Sequence, residues 1–240
     1  MNVQADGVKA LVFDVFGTVV DWHGSVAREV RGLAQEKGLR VNAVKFAKAW
    51  RAGYRPAMDR VRSGELPWTK IDHLHRTILE GLLPKFDLRG LGEEEIDHLN
   101  RAWHRLQPWP DARAGLARLK RRHVIATLSN GNVALLVNMA RHARLPWDCI
   151  LSAEVVRHYK PDPETYLGAA DLLGVRPQEL MMVAAHKDDL RAARACGLRT
   201  AFVARPREHG PGARADVSRD PAFDLHARDF LDLARQLARA

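Results

Sequence analysis

At 240 residues the chain has room for one large α/β domain, or for a core domain carrying a smaller insertion, and needs no disulfides to bury a substantial core. Its 38 Lys and Arg outnumber 29 Asp and Glu for a net charge of +9. The basic residues, Arg113, Arg118, Lys120, Arg121 and Arg122 among them, are spread over many helical faces rather than gathered in one aromatic-interleaved stripe, which argues against a nucleic-acid partner.

No run approaches the ~20 apolar residues that span a bilayer. The segment from Met1 to Gly7 has no basic patch followed by an apolar run, so no secretory signal is expected. Cys149 and Cys196 lack metal-ligand spacing. A cytoplasmic protein with two ordinary buried thiols is therefore expected.

The first element in chain order is a short apolar run, Lys9-Ala-Leu-Val-Phe, that ends in Asp14 and is followed by Gly17-Thr18. It reads as a buried parallel strand whose carboxyl end delivers Asp14 to a loop. Residues 25–103 change character. Val26, Val30, Leu33 and Ala34 recur at helical spacing, as do Val44, Ala47, Ala49 and Trp50, and further helical patterns cover 71–82 and 93–106. No convincing strand lies in that stretch.

After Pro108-Trp-Pro110 the pattern alternates. Helices are expected at 112–121, 133–143, 163–173, 188–195 and 229–240, and strands at 124–128, 149–151, 180–184, 200–204 and near 223–225. Pro163 opens one helix and Gly197 closes another. Residues 205–221, rich in Pro, Gly and Arg, read as a surface loop. Strand-helix alternation predicts a mostly parallel sheet with helices on both faces, a three-layer α/β/α core. The expected division is a core of residues 1–20 and 109–240 and an all-helical cap of residues 21–108. In such sheets ligands bind at the carboxyl ends of the strands, where Asp14, Ser129 and residues 184–189 all fall.

Four pieces fit one site. Asp14 ends the first strand. Ser129-Asn130-Gly131-Asn132 follows the next core strand, with a small hydroxyl and backbone amides suited to an anion at a helix N-terminus. Lys160-Pro161 precedes a helix bearing Tyr166, and His186-Lys187-Asp188-Asp189 follows another strand. The set resembles the four ordered motifs of the haloacid dehalogenase (HAD) superfamily, over residues 8–230, and within it most closely the type II L-2-haloacid dehalogenases. Phosphatases of that superfamily carry a second Asp two residues after the nucleophile as general acid. Here that position is Phe16, which cannot protonate a leaving alcohol. A halide leaves without protonation.

The resemblance implies that Asp14 attacks C2 of a 2-haloalkanoate with inversion, giving an aspartyl ester that water hydrolyses. It implies that Thr18 orients Asp14, and that Ser129 and backbone amides hold the substrate carboxylate. Arg55 on the cap and Asn130 stabilise the departing halide. Lys160 keeps Asp14 ionised beside Asp189, and Tyr166 and Asp189 match the family's tyrosine and second acid. Where many members have Ser-Ser-Asn, this chain has Ala184-Ala185-His186, and His186 is expected to take the amide's place near the water. A small anionic substrate, no metal, no cofactor and a homodimer are implied.

Other readings stand beside these. Arg51 lies one turn from Arg55; Asp188 and Asp189 could simply begin a helix; and Tyr166 could be a packing residue. His23, His73, His75, His98 and His104 are read as surface or cap-packing residues, and Trp22 or Trp68 as a possible apolar pocket wall. A magnesium-dependent phosphatase and a non-catalytic binding protein on the same fold are the competing functions.

Overall fold

The structure, a computed structural model, describes residues 7–213 and 215–238. Its centre is a six-stranded, wholly parallel sheet. In chain order the strands are β1 (Ala10–Phe13), β4 (Val124–Ser129), β5 (Cys149–Ser152), β6 (Leu180–Ala184), β7 (Arg199–Val203) and β8 (Leu225–Ala227), arranged in space as β5-β4-β1-β6-β7-β8. Two further short strands, β2 (Val20–Asp21) and β3 (Gln107–Pro108), pair antiparallel at the root of the insertion.

Alternation along the strands sorts the core into two layers. Leu11, Phe13, Ile125, Met181 and Val183 face one side, where α5 (Ala112–Leu119), α6 (Val133–Ala143) and α10 (Phe230–Leu237) pack. Val12, Ala126, Leu128, Met182 and Ala184 face the other, against α8 (Pro163–Leu172) and α9 (Lys187–Ala195). The short α7 (Ala153–Val156) follows β5. Phe13 is level with Thr127 on one side and Val183 on the other. The carboxyl ends of β1, β4 and β6 therefore open at one height, where the chain's direction across the sheet reverses.

Between β2 and β3 every regular element is helical: α1 (Trp22–Glu36), α2 (Ala43–Arg62), α3 (Ile71–Leu82) and α4 (Glu93–Asn100). Asp21 caps α1 by accepting the Gly24 amide, and Asn42 caps α2 by accepting that of Lys45. The stripe Phe46, Trp50, Tyr54 and Met58 on α2 recurs every four residues and is buried. It meets Trp22 and Trp103 in one apolar cluster continuous with the β1 side of the sheet. Ties to the core fix the cap's position. Arg62 Nη2 donates to Asp162 Oδ1 at 2.7 Å, Lys70 pairs with Glu154 at 2.7 Å, and Asn132 Nδ2 donates to Asp72 Oδ2 at 2.9 Å.

Most expected elements are present with ends moved by one to three residues. The pattern at 93–106 is not one helix: α4 stops at Asn100 and a 3₁₀ turn, Arg101–Arg105, follows. Three-residue spacing suits a 3₁₀ turn, and Trp103 and Leu106 both reach the core. The last strand lies at β8, slightly later than expected. Residues 239 and 240 of the expected last helix lie outside the described residues, as do residues 1–6, the start of the segment read for a secretory signal. Both cysteines are free and only partly buried. Among the described residues no helix is long and apolar enough to cross a membrane.

Candidate active site

The β1 ladder runs on to Asp14, whose amide donates to Val183 of β6 at 3.0 Å, so the side chain emerges between β4 and β6. Three groups then hold its carboxylate. Lys160 Nζ donates to Oδ1 at 3.0 Å, Thr18 Oγ1 donates to Oδ2 at 2.7 Å, and His186 Nδ1 lies 3.0 Å from Oδ2. Lys160 also donates to Asp189 Oδ2 at 2.5 Å, and the Tyr166 hydroxyl donates to Asp189 Oδ1 at 2.6 Å. Thr18 in turn accepts the Ala185 amide at 2.9 Å, which ties the loops after β1 and β6 together.

These contacts set the charges. Burial disfavours the Asp14 anion, but Lys160, His186 and Thr18 outweigh it and hold the carboxyl well below the usual range. Burial likewise opposes the Lys160 cation, and Asp14 and Asp189 overcome it, raising its pKa. Asp189 is buried with fewer compensating partners; burial and the neighbouring Asp14 push it up despite Lys160. Asp14 is therefore the stronger acid of the pair and stays ionised.

Asp14, Lys160, His186 and Asp189 line a cavity of ≈ 330 Å³ that α2 closes from above with Arg51, Tyr54, Arg55, Met58 and Arg62. Phe16 forms part of the wall, edge-on to Tyr54 and Trp103 at 6.3 and 5.9 Å between ring centres. No proton donor stands where the ring is. Asn130 also faces the cavity. Its Oδ1 accepts the Lys160 amide at 2.7 Å and its Nδ2 rests on the Met58 sulfur at 3.3 Å, a weak acceptor.

Several sequence expectations change. Ser129 is fully buried, accepts the Gly131 amide at 3.2 Å and does not line the cavity. The amide of Val133, first residue of α6, is already taken by Glu154 at 2.7 Å. Two of the amides expected to hold an anion at this helix start, those of Gly131 and Val133, thus have partners within the chain. Arg55 lines the cavity but is exposed at its rim. Arg51, one turn back, is partly buried, its guanidinium 4.3 Å from the Tyr54 ring centre and 5.6 Å from that of Trp22. Its buried Nη1 has no hydrogen-bond partner. Neither Trp22 nor Trp68 is a cavity wall: Trp22 Nε1 donates to Glu208 and Trp68 packs on Tyr159. His75 stacks on Trp103 and His104 pairs with Asp72, as packing residues of the cap.

The loop at 205–221, read as surface, is corrected at its start. Arg205 and Glu208 are both buried. Arg205 Nε donates to the Thr18 carbonyl at 2.7 Å while its other nitrogens grip Asp111 at 2.8 and 2.9 Å. Glu208 Oε1 lies 2.9 Å from His186 Nε2 and accepts from Trp22 Nε1 at 3.2 Å. Room for it exists because Gly17, at φ +86°, has no side chain: a Cβ there would overlap the Glu208 carboxyl. That glycine is a sequence signal that something packs closely there.

A carboxylate kept anionic at a strand end, with a histidine and a second acid beside it, is the equipment of a hydrolase working through an enzyme ester. A family model for haloacid dehalogenase-like hydrolases matches residues 8–197. The chain is also 33% identical over 212 residues to (S)-2-haloacid dehalogenase 4A of Burkholderia cepacia, an overlap of 84% of this chain and 85% of that one. It belongs to the haloacid dehalogenase-like hydrolases. Among solved structures it resembles the L-2-haloacid dehalogenase PA0810 (50% identity, TM-score 0.94, 98% of this chain and 100% of that one). It also resembles the defluorinating L-2-haloacid dehalogenase Rha0230 (47%, 0.93, 97% and 96%). The L-2-haloacid dehalogenase of Xanthobacter autotrophicus with chloropropionic acid covalently bound matches at 25% identity and TM-score 0.79, over 97% and 99% of the two chains.

Proposed function

We propose that this protein hydrolyses short L-2-haloalkanoates to D-2-hydroxyacids and halide through an ester on Asp14. The observation that carries the reading is the pairing of an ionised Asp14 with Phe16 in one cavity wall. The nucleophile is ready, and the position from which a phosphatase would protonate its leaving group is a hydrocarbon ring. The covalently bound chloropropionic acid in the Xanthobacter relative supports an enzyme-bound intermediate.

In this reading Asp14 Oδ1 or Oδ2 attacks C2 from the face opposite the halogen, the carbon–halogen bond breaks and the halide departs toward Asn130 Nδ2 and Arg51. Arg51 takes the role first expected of Arg55, because a buried guanidinium with a free N–H stabilises an anion far better than an exposed one. Lys160 and Thr18 fix the attacking carboxylate, and Tyr166 fixes Asp189. Ser129 acts through the turn it holds. Water then attacks the ester carbonyl near His186 and Asp189, releasing the hydroxyacid. Residues 1–20 and 109–240 supply the reacting groups and residues 21–108 act as the cap that excludes solvent and selects substrate. Side chains and water suffice for these steps. A homodimer, supported by the family resemblance, and a cytoplasmic location, supported by the two free cysteines, complete the proposal.

Halide release from each enantiomer of 2-chloropropionate, with EDTA present, tests the reading alongside p-nitrophenyl phosphate hydrolysis with added magnesium. Chloride from the S enantiomer alone is expected. Phosphate release without halide release would overturn it. The likeness to a defluorinating relative makes fluoroacetate a third substrate in the same assay.

A further inference from the structure

His186 stands between two carboxylates, Nδ1 at 3.0 Å from Asp14 Oδ2 and Nε2 at 2.9 Å from Glu208 Oε1. With an acceptor on each side, both ring nitrogens carry hydrogen and the resting ring is an imidazolium. Burial works against that charge, but Asp14 and Glu208 outweigh it and raise the pKa to about 10. Such a ring has no lone pair and cannot take a proton from water. The other charged or polar groups around this trio are Lys160 and Asp189 beyond Asp14, Thr18 on Asp14, Trp22 on Glu208, His209 at 3.9 Å from Glu208, and Asp188 on the cavity wall.

Glu208 is built in. It is 3% exposed, lies against the bare backbone of Gly17 and belongs to a segment that Arg205 ties to Thr18. Gly210, at φ +82°, leaves space for the His23 ring and lets the same turn close down. We propose that Glu208 is the positioning residue that holds His186 as the base of ester hydrolysis, and that ester formation on Asp14 is what frees His186 Nδ1 to act. This deepens the dehalogenase reading and rests on it.

The steps balance. When Asp14 Oδ displaces halide, the carboxylate becomes a neutral ester and Nδ1 loses the anion that held its proton. That proton passes through the open cavity to solvent, leaving Nε2–H on Glu208 and a lone pair on Nδ1. Water then adds to the ester carbonyl while Nδ1 takes one of its protons. The tetrahedral adduct expels the alkoxide, which takes the remaining hydroxyl proton, so Asp14 is again a carboxylate and His186 again an imidazolium. Net, one water and one haloacid anion give hydroxyacid anion, halide and one proton. Glu208 keeps the ring in the tautomer that points its lone pair at the ester and stabilises the imidazolium as it re-forms.

The test follows single turnovers of (S)-2-chloropropionate by chloride release and by mass of the ester enzyme. In Glu208→Gln, chloride release is expected within roughly threefold of wild type while ester hydrolysis slows roughly 10²-fold and ester accumulates. In a His186→Ala background the same substitution should add nothing further. Unchanged hydrolysis, or an equal loss without His186, would overturn the proposal. A second readout is independent of turnover and of the folding of Glu208→Gln: the imidazole NMR titration of His186. It is expected near pH 10 in wild type and at least one unit lower in Asp14→Asn, where the neutral amide stands in for the ester; no fall would sink the idea. Absence of any chloride from wild type would instead mark failure of the dehalogenase reading.

Discussion

Lys160 Nζ lies 3.0 Å from Asp14 Oδ1 across 146 positions of sequence, and its other hydrogen bond goes to Asp189. One ammonium thus serves two buried carboxylates. Replacing it by methionine keeps the volume and removes the charge, so burial and mutual repulsion raise the pKa of both acids. The ionised nucleophile then forms only at higher pH. Lys160→Met should lower kcat/KM at pH 7 by roughly 10²-fold or more and move the acidic limb of its pH profile upward. An unmoved limb would show that Lys160 does not set the charge of Asp14.

Arg51 and Arg55 share a helix and a cavity, yet only Arg51 has a buried, unpartnered N–H against aromatic rings. Removing a buried donor aimed at developing charge typically costs about 10²–10³ in rate. Arg51→Met is expected to lose that much in kcat, whereas Arg55→Ala should change kcat by less than about threefold and act mainly on KM. Steady-state halide release on both variants decides between them.

Arg205 and Asp111 form a buried bidentate pair behind the nucleophile loop, 6% and 13% exposed. Losing one partner strands the other charge, so Arg205→Met should cost about 3–5 kcal/mol in urea unfolding. Arg205→Lys should rescue it poorly, because an ammonium cannot reproduce the fork that reaches Asp111 and the Thr18 carbonyl together. The double variant Arg205→Met with Asp111→Leu should be less unstable than Arg205→Met alone.

His186 also leaves a mark on stability against pH. Its folded-state pKa, about 10, lies above the unfolded value. The folded state therefore keeps a proton that the unfolded chain loses first. The contribution is full below about pH 6.5 and fades as pH rises through the folded value. The stability gap between wild type and His186→Ala should shrink steadily from pH 7 to 11; a gap that widens would contradict the doubly bonded imidazolium.

The order of strands and helices was readable because each core strand is a compact apolar run bounded by turn residues and each helix shows its own period. Asp14, His186 and Asp189 were readable because they follow strand ends, and Lys160 because it stands with Pro161 just before a helix, in an order that resembles the family's motifs. What the sequence left open or missed depends on packing rather than position. Arg51 and Arg55 differ by one helical turn, and the contacts of Tyr54 and Trp22 separate them. Glu208 sits in a segment whose glycines and prolines suggest solvent, and only the missing side chains at Gly17 and Gly210 let that segment fold inward. Ser129 had the right neighbours in sequence, but its oxygen accepts the Gly131 amide and its side chain is buried away from the cavity.

Asp14, Lys160, His186 and Asp189 lie on loops and a helix start beyond the strand ends, while among the described residues the insertion's contribution to the cavity comes from α2 alone. The shape of the space above Asp14 is thus set by one helix. Exchanges at Tyr54 and Met58, on one face of a single helix, are expected to change which acids fit while leaving Asp14 and its partners in place.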